Sequence, residues 1–302
     1  MRCQRRKVGE IMKVLNFGSL NYDYVYQVDH MVQAGETQSA DSKQTFLGGK
    51  GFNQSVALCK AGVPVFHAGV LGEDGEEFIQ ACKMYGIDTR YIEKVEGASG
   101  HTIIQVDKNA QNCILLYAGS NHKVTKPFVD TVLKDFGKGD MILLQNEMNE
   151  LSYIIDSAYE KGMQVILNPS PYNAVMESCD LRKVSIFLLN EIEGEMMSGS
   201  SEPNEILAYM LREFPNAKVV LTLGEQGVVY QDAFERVEQD IFRVKAVDTT
   251  AAGDTFTGYF IDGLVRARPI KEVLKRAAKA SSIAVSRKGA ADSIPQASEV
   301  NV

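Results

Sequence analysis

Along this chain, short β-branched or apolar runs recur at residues 14–17, 65–70, 141–144, 165–168, 186–189 and 219–222. Between several of them the apolar positions change to a helical spacing, at 54–61, 76–84, 152–161 and 204–213. Two longer helical stretches follow near the end, 252–266 and 270–285, with Pro269 between them. Strand–helix–strand order of this kind predicts an α/β fold with a mostly parallel central sheet covered by helices on both faces. Residues 22–46 break the rhythm, because polar and apolar positions alternate there and helix signals are few. That segment is expected to form a small antiparallel β element after the first strand, a candidate β lid. Residues 1–12 read as a disordered leader and 13–302 as one domain. Ligands of such folds gather at the carboxyl ends of the strands, so the loops there carry the candidate chemistry.

Composition narrows the function. The 32 Lys and Arg residues against 39 Asp and Glu give a net charge of −7 over 302 residues. Such a balance offers no general attraction to nucleic acid or to an anionic membrane. No apolar run approaches the roughly 20 residues of a membrane span. The basic start lacks the apolar stretch of a signal peptide, so a cytoplasmic protein is expected. Five scattered cysteines without a CxxC pair, and four histidines apart from them, argue against a disulfide scaffold or a zinc site. The thiols are expected to be buried and reduced. No GxGxxG follows the first strand, which argues against a dinucleotide-dependent dehydrogenase.

Three segments carry candidate chemistry. Val247-Asp-Thr-Thr-Ala-Ala-Gly-Asp-Thr-Phe256 lies where a loop feeds a long helix. First-turn amides of a helix lack intrahelical partners and, with the positive helix end, form an anion site. Asp254 in that turn either caps the helix or acts as general base for a hydroxyl attacking a phosphoryl group held by those amides. Leu47-Gly-Gly-Lys-Gly-Phe-Asn-Gln-Ser55 opens a helix without the spacing of a Walker A loop. It is either a plain glycine turn or one whose Gly49 and Gly51 let backbone approach a ligand, with Asn53 offered to hydroxyls. In Gly18-Ser-Leu-Asn-Tyr-Asp23, Asn21 and Asp23 stand two apart, so an extended backbone points both the same way, as a polyol site needs. An Asx turn is the other reading.

The glycine-rich turn paired with the late Asp-Thr-x-Ala-Ala-Gly-Asp-Thr-Phe motif resembles the ribokinase family of sugar and nucleoside kinases, over nearly the whole chain after residue 13. Leu167-Asn-Pro-Ser-Pro171, Leu221-Thr-Leu-Gly224 and Ser286-Arg-Lys-Gly-Ala290 extend the resemblance. It implies a ribokinase-like fold and ATP-dependent transfer of the γ-phosphoryl group to a primary hydroxyl of a small sugar. D-ribose, giving ribose 5-phosphate, comes first, with deoxyribose, a ketohexose, a sugar acid or a nucleoside as alternatives. A non-catalytic sugar or nucleotide sensor is the competing class.

By the same resemblance Asp254 is the catalytic base and the amides of Ala251, Ala252 and Gly253 form the anion hole. Asn21, Asp23, Gly49, Lys50, Asn53 and Glu147 line the sugar. Asn190, Thr222, Leu223, Gly224, Glu225, Gln226 and Gly227 border ATP, with Gly253. Glu193 is linked to Mg²⁺ through water. Asp248, Thr250, Ala284, Arg287, Gly289 and Ser293 cage a monovalent cation, usually K⁺. A homodimer through the β lid is expected. Lys50 has a solvated surface lysine as its plain alternative, and Glu147 a cap before the helix at 152. Phe52 departs from the family's usual alanine and either narrows the sugar pocket or packs inward. Ala278 stands where a polar residue near adenine is common, and Gln33-Ala-Gly-Glu-Thr37 lacks the usual lid proline.

Overall fold

The first apolar run forms β1 (Val14–Phe17), which lies inside a nine-stranded sheet with parallel neighbours on both sides. The computed structural model describes residues 12–109 and 111–302. After β1 come β2 (Asn21–Gln27), β3 (Ser42–Gly48), α1 (Lys50–Ala61), β4 (Val65–Leu71), α2 (Glu76–Tyr85) and β5 (Asp88–Lys94). The chain continues through β6 (Gly100–Val106), β7 (Asn112–Tyr117), α3 (Lys126–Leu133), β8 (Met141–Gln145), α4 (Leu151–Glu160) and β9 (Gln164–Asn168). Then follow β10 (Ile186–Asn190), α5 (Glu191–Ser198), α6 (Pro203–Glu213) and β11 (Lys218–Thr222). The antiparallel strands β12 (Val228–Gln231) and β13 (Arg236–Gln239) precede α7 (Ala252–Val265) and α8 (Ile270–Val285). The large sheet runs β13-β12-β11-β10-β9-β8-β1-β4-β5, parallel from β11 to β5.

Strand residues alternate between two apolar cores, as a period of two demands. Val14, Leu143, Ile166, Leu188 and Val220 pack beneath α1, α2, α7 and α8. Leu15, Ile142, Val165, Phe187 and Val219 face α3, α4 and α6. Helix α7 is apolar on nearly every side because it is wedged between α1 and α8. Gly258 makes the α1–α7 approach possible, since a Cβ there would stand 2.4 Å from that of Ala57. This close fit brings the first turn of α7 against α1.

The expected antiparallel element at 22–46 is half of a mixed four-stranded sheet, β3-β2-β6-β7, in which β2 and β6 run parallel. Strands β6 and β7 were not among the expected elements although both carry apolar runs; all of β7 faces solvent, while β6 is exposed only at Ile103. The leader, Met12 aside, lies outside the described residues; Met12 packs on the core. Among the described cysteines, all free, Cys82 is buried, Cys59 and Cys179 are half-buried, and Cys113 is exposed on β7. The expectation of uniformly buried thiols therefore fails at the small sheet. Gln33 sits in an exposed turn that the Glu36 carboxylate closes by accepting its N–H at 3.0 Å.

Phe52 packs inward. Its ring meets Phe78 at 5.3 Å and Tyr85 at 6.1 Å between centroids, within the α1–α2 core. Phe52→Ala is therefore expected to cost about 3–5 kcal/mol of stability in chemical unfolding and to leave ligand preference unchanged. Altered preference at wild-type stability would show that the ring shapes the site.

Candidate active site

Six strands of the large sheet each place a polar residue on the face turned to α1 and α7. These are His67, Asn16, Gln145, Asn168, Asn190 and Thr222; the register pairs His67 with Asn16, Gln145 with Asn168 and Asn190 with Thr222, each pair stepped two residues from the next. Over that face opens a small cleft of about 90 Å³ lined by Lys50, Asn190, Glu193, Thr222, Gly253 and Asp254 among others.

Asp254 is buried in the first turn of α7. Its oxygens accept from Gln54 Nε2 at 2.9 Å and Asn53 Nδ2 at 3.2 Å, both on α1. It is not a helix cap, because no side chain caps α7. Burial raises its proton affinity, against Lys50 and the two amides, which favour the charged form. Lys50 is not a solvated surface lysine. Burial works against its charge, but Asp254, Glu147 and Glu193 outweigh that and hold the ammonium above its ordinary pKa.

The amides of Ala251, Gly253 and Asp254 have no acceptor among the described residues. That of Ala252 does not join them, since it donates to the Thr249 carbonyl at 3.1 Å. A Cβ built on Gly253 meets nothing within 4 Å, so this turn opens onto the cleft. Free donors at a helix start are what an anion needs.

Asn21, Asp23, Asn53 and Glu147 do not line that cleft; Asn53 and Glu147 adjoin it through Asp254 and Lys50. Asn21 and Asp23 lie on one face of β2, so they belong to a strand and not to an Asx turn. Thr102 Oγ1 donates to Asp23 at 2.5 Å. Burial nevertheless pushes the Asp23 carboxyl up to about 6, and Glu147 adds to the rise. Asn21 Oδ1 accepts from Asn121 Nδ2 at 2.7 Å. Buried Asn53 Oδ1 has no hydrogen-bond partner among the described residues.

Glu147 accepts from the Ser19 hydroxyl and from the Lys50 N–H, the latter at 3.0 Å. It thus caps α1 across space, and not the helix at 152. Gly49, at φ 89°, takes the left-handed region that favours glycine and lies against Asn21. Gly51 serves a different need from the one expected of it. A Cβ there would stand 2.3 Å from Ser19 N and 2.4 Å from Gly18 C, so it admits the protein's own backbone and not a ligand's.

Asn190 and Glu193 form a reciprocal capping box on α5, and both also line the cleft. Asn190 pairs with Thr222 across β10 and β11, and residues 223–227 make the exposed turn into β12. Leu223, Gly224, Glu225, Gln226 and Gly227 therefore sit at the cleft's outer rim, closed by Leu223 N–H donating to Gly227 O at 2.8 Å. Asp248 accepts from Thr250 N and Gly289 N, each at 3.0 Å. Ala284 O accepts from Arg287 N at 3.0 Å, while Ser293 Oγ donates to Ala290. Carbonyls beside this corner already hold one cation, since Lys60 Nζ donates to Ala291 O and Ile294 O. Ala278 is half-buried on α8 and does not line the cleft. Sequence reasoning passed over Ser19, Thr102, Asn121, Gln54, Gln145 and Asn16. Of these, Gln54 alone had a signal, adjacency to Asn53 in the glycine-rich segment.

The pfkB family carbohydrate kinase model matches residues 12–297. The chain is 33% identical over 292 residues to a ribokinase of Haemophilus influenzae, covering 93% of this chain and 95% of that protein. It is 30% identical over 299 residues to a deoxyribokinase of Salmonella typhi, covering 96% and 98%. The structure of Arabidopsis thaliana ribokinase complexed with ribose and ATP superposes with a TM-score of 0.84 at 27% identity, covering 96% of this chain and 98% of that one.

Proposed function

The chain belongs to the pfkB family of ATP-dependent carbohydrate kinases, and on that premise we propose that it phosphorylates a pentose, D-ribose first, at its 5-hydroxyl. The observation that carries this reading is the meeting, beside one cleft, of buried Asp254 with its Asn53 and Gln54 donors, the Lys50 ammonium and the free amides of α7. Asp254 takes the hydroxyl proton as the sugar oxygen bonds to the γ-phosphorus. The bond from that phosphorus to the bridging oxygen breaks, and ADP leaves with the electron pair. The Ala251, Gly253 and Asp254 amides, with the Lys50 ammonium, neutralise charge on the transferred group. Asn21, Asp23, Asn53 and Glu147 orient the sugar hydroxyls, and the rim at 222–227 with Asn190 receives the nucleotide.

Among the described residues no group of three or more His, Cys, Asp or Glu side chains could hold a metal by itself. That donor set fits Mg²⁺ carried on the ATP phosphates, with Glu193 reaching it through water. When bound, the ion withdraws charge from the phosphates. The Asp248–Thr250–Gly289 corner supports a K⁺ site whose other donors are the carbonyls of Ala284 and Arg287 and the Ser293 hydroxyl. The small sheet supports a homodimer through its uncovered apolar strand, where Ile114 is 60% and Leu115 67% exposed. Cytoplasmic residence rests on the free thiols. Deoxyribose is the second reading, favoured by the Salmonella relative.

ADP release is expected to be highest in kcat/KM with ribose among ribose, deoxyribose, fructose, ketodeoxygluconate and adenosine, and several-fold faster in potassium than in lithium at equal ionic strength. A better substrate in the panel overturns the ribose assignment, and equal rates in the two salts remove the cation site. Asp254→Asn should lower kcat by at least about a hundredfold, with little change in melting temperature; turnover near wild type would rule out the base. Ile114→Asp should convert a dimer to a monomer in sedimentation, and a monomeric wild type contradicts the dimer.

A further inference from the structure

We propose that Gln54 is a positioning residue for Asp254, and that a buried chain of side-chain hydrogen bonds fixes which end of its carboxamide faces the base. The inference rests on Asp254 being that base. Gln54 is buried on α1, and both halves of its amide are committed. Nε2 donates to Asp254 Oδ1 at 2.9 Å and reaches Asn168 Oδ1 at 3.4 Å, while Oε1 accepts from Gln145 Nε2 at 2.7 Å.

The polarity of that arrangement can be followed from two backbone carbonyls, which only accept. His67 Nε2 faces Gly18 O at 3.2 Å, so it carries the proton. Burial holds this imidazole's pKa down near about 4, so at neutral pH its Nδ1 is an acceptor. The Ser55 hydroxyl, 2.8 Å away, therefore donates to it. Ser55 Oγ then accepts from Asn16 Nδ2 at 2.8 Å, and the same amide nitrogen donates to Gly51 O at 2.7 Å. With its nitrogen so engaged, Asn16 presents Oδ1 to Gln145 Nε2 at 2.9 Å. The other N–H of Gln145 is the one that meets Gln54 Oε1. Both N–H groups of Gln145 are committed although its own Oε1 is left unpaired. Gln54 can then turn only its NH₂ toward Asp254. At the far side Asn168 is fixed as an acceptor because its Nδ2 donates to Leu188 O at 2.8 Å.

A carboxamide suits this place because it stabilises a carboxylate without offering a proton of its own. Burial raises the proton affinity of Asp254; the Lys50 ammonium and the Gln54 and Asn53 donors oppose it. The other titratable groups at or beside the cleft are Glu147, Glu193 and Asp23. Losing the Gln54 donor raises the proton affinity of Asp254, so the acid limb of the rate profile moves to higher pH.

The test is kcat against pH for Gln54→Met and Gln145→Met, at saturating sugar and Mg·ATP so that titration of Asp23 in the free site drops out. Loss of a hydrogen bond to a charged group should move the acid limb of Gln54→Met upward by about one pH unit. Gln145→Met, which touches no ligand, should move it the same way by less. Should Gln54→Met not fold, the Gln145→Met profile decides. Wild-type acid limbs in both variants, whatever their rates, overturn the inference while an inactive Asp254→Asn leaves the base in place. Full turnover in Asp254→Asn overturns both together.

Discussion

A carboxylate driven into the interior must be met by donors or it keeps its proton. Asp254 sets that condition, and much of the molecule answers it. Helix α1 brings Asn53 and Gln54 to its two oxygens and Lys50 to its field. For α1 to stand so close, Gly258 must lack a side chain where α7 crosses Ala57. For α1 to start where it does, Glu147 must cap it from beyond β8. The same first turn of α7 leaves the Ala251, Gly253 and Asp254 amides without acceptors among the described residues, so a buried carboxylate and a set of free donors share one helix end.

The sheet supplies the floor through register more than through any one residue. Alternate residues of parallel strands face the same helices. Asn16, Gln145, Asn168, Asn190 and Thr222 therefore share the face turned to α1 and α7, in steps set by the register. A shift of one residue in any strand would turn its polar end into the opposite core, where Ile142, Phe187 and Val219 pack.

The large sheet was legible from sequence because its central strands are buried on both faces and read as unbroken apolar runs. Val14–Phe17 and Ile270–Val285 coincide with their expected bounds. Strands β6 and β7 were passed over although both carry apolar runs, because nothing local shows that they extend the small sheet: the parallel pairing of β2 with β6 joins segments far apart in the chain. Helix α5 escaped because Gly194 interrupts a short, weakly amphipathic stretch that its capping box holds in place. In the site, residues such as Asp254 and Asn53 could be named as candidates because they stand in two motifs, whose resemblance to a family then assigned them roles. Gln145 and Asn16 could not, because their meeting depends on which face of a strand turns to α1. Gly51 was misread for a related reason: close approach was visible in its lack of a side chain, but not what approaches.

The crossing of Gly18 and Gly51 bears on how such a site can change over generations. A methyl group at Gly18 would lie 2.3 Å from Gln145 Oε1, and one at Gly51 would strike Ser19. This side of the cleft has no slack, so neither position can be enlarged without moving strand and helix apart. The small sheet is as tight where it carries Asn21 and Asp23, since a methyl group at Gly48 would lie 2.0 Å from Asp23 Oδ2 and one at Gly100 2.3 Å from Asn21 Oδ1. Change at these last two positions therefore has to come in pairs, one neighbour shrinking as the other grows.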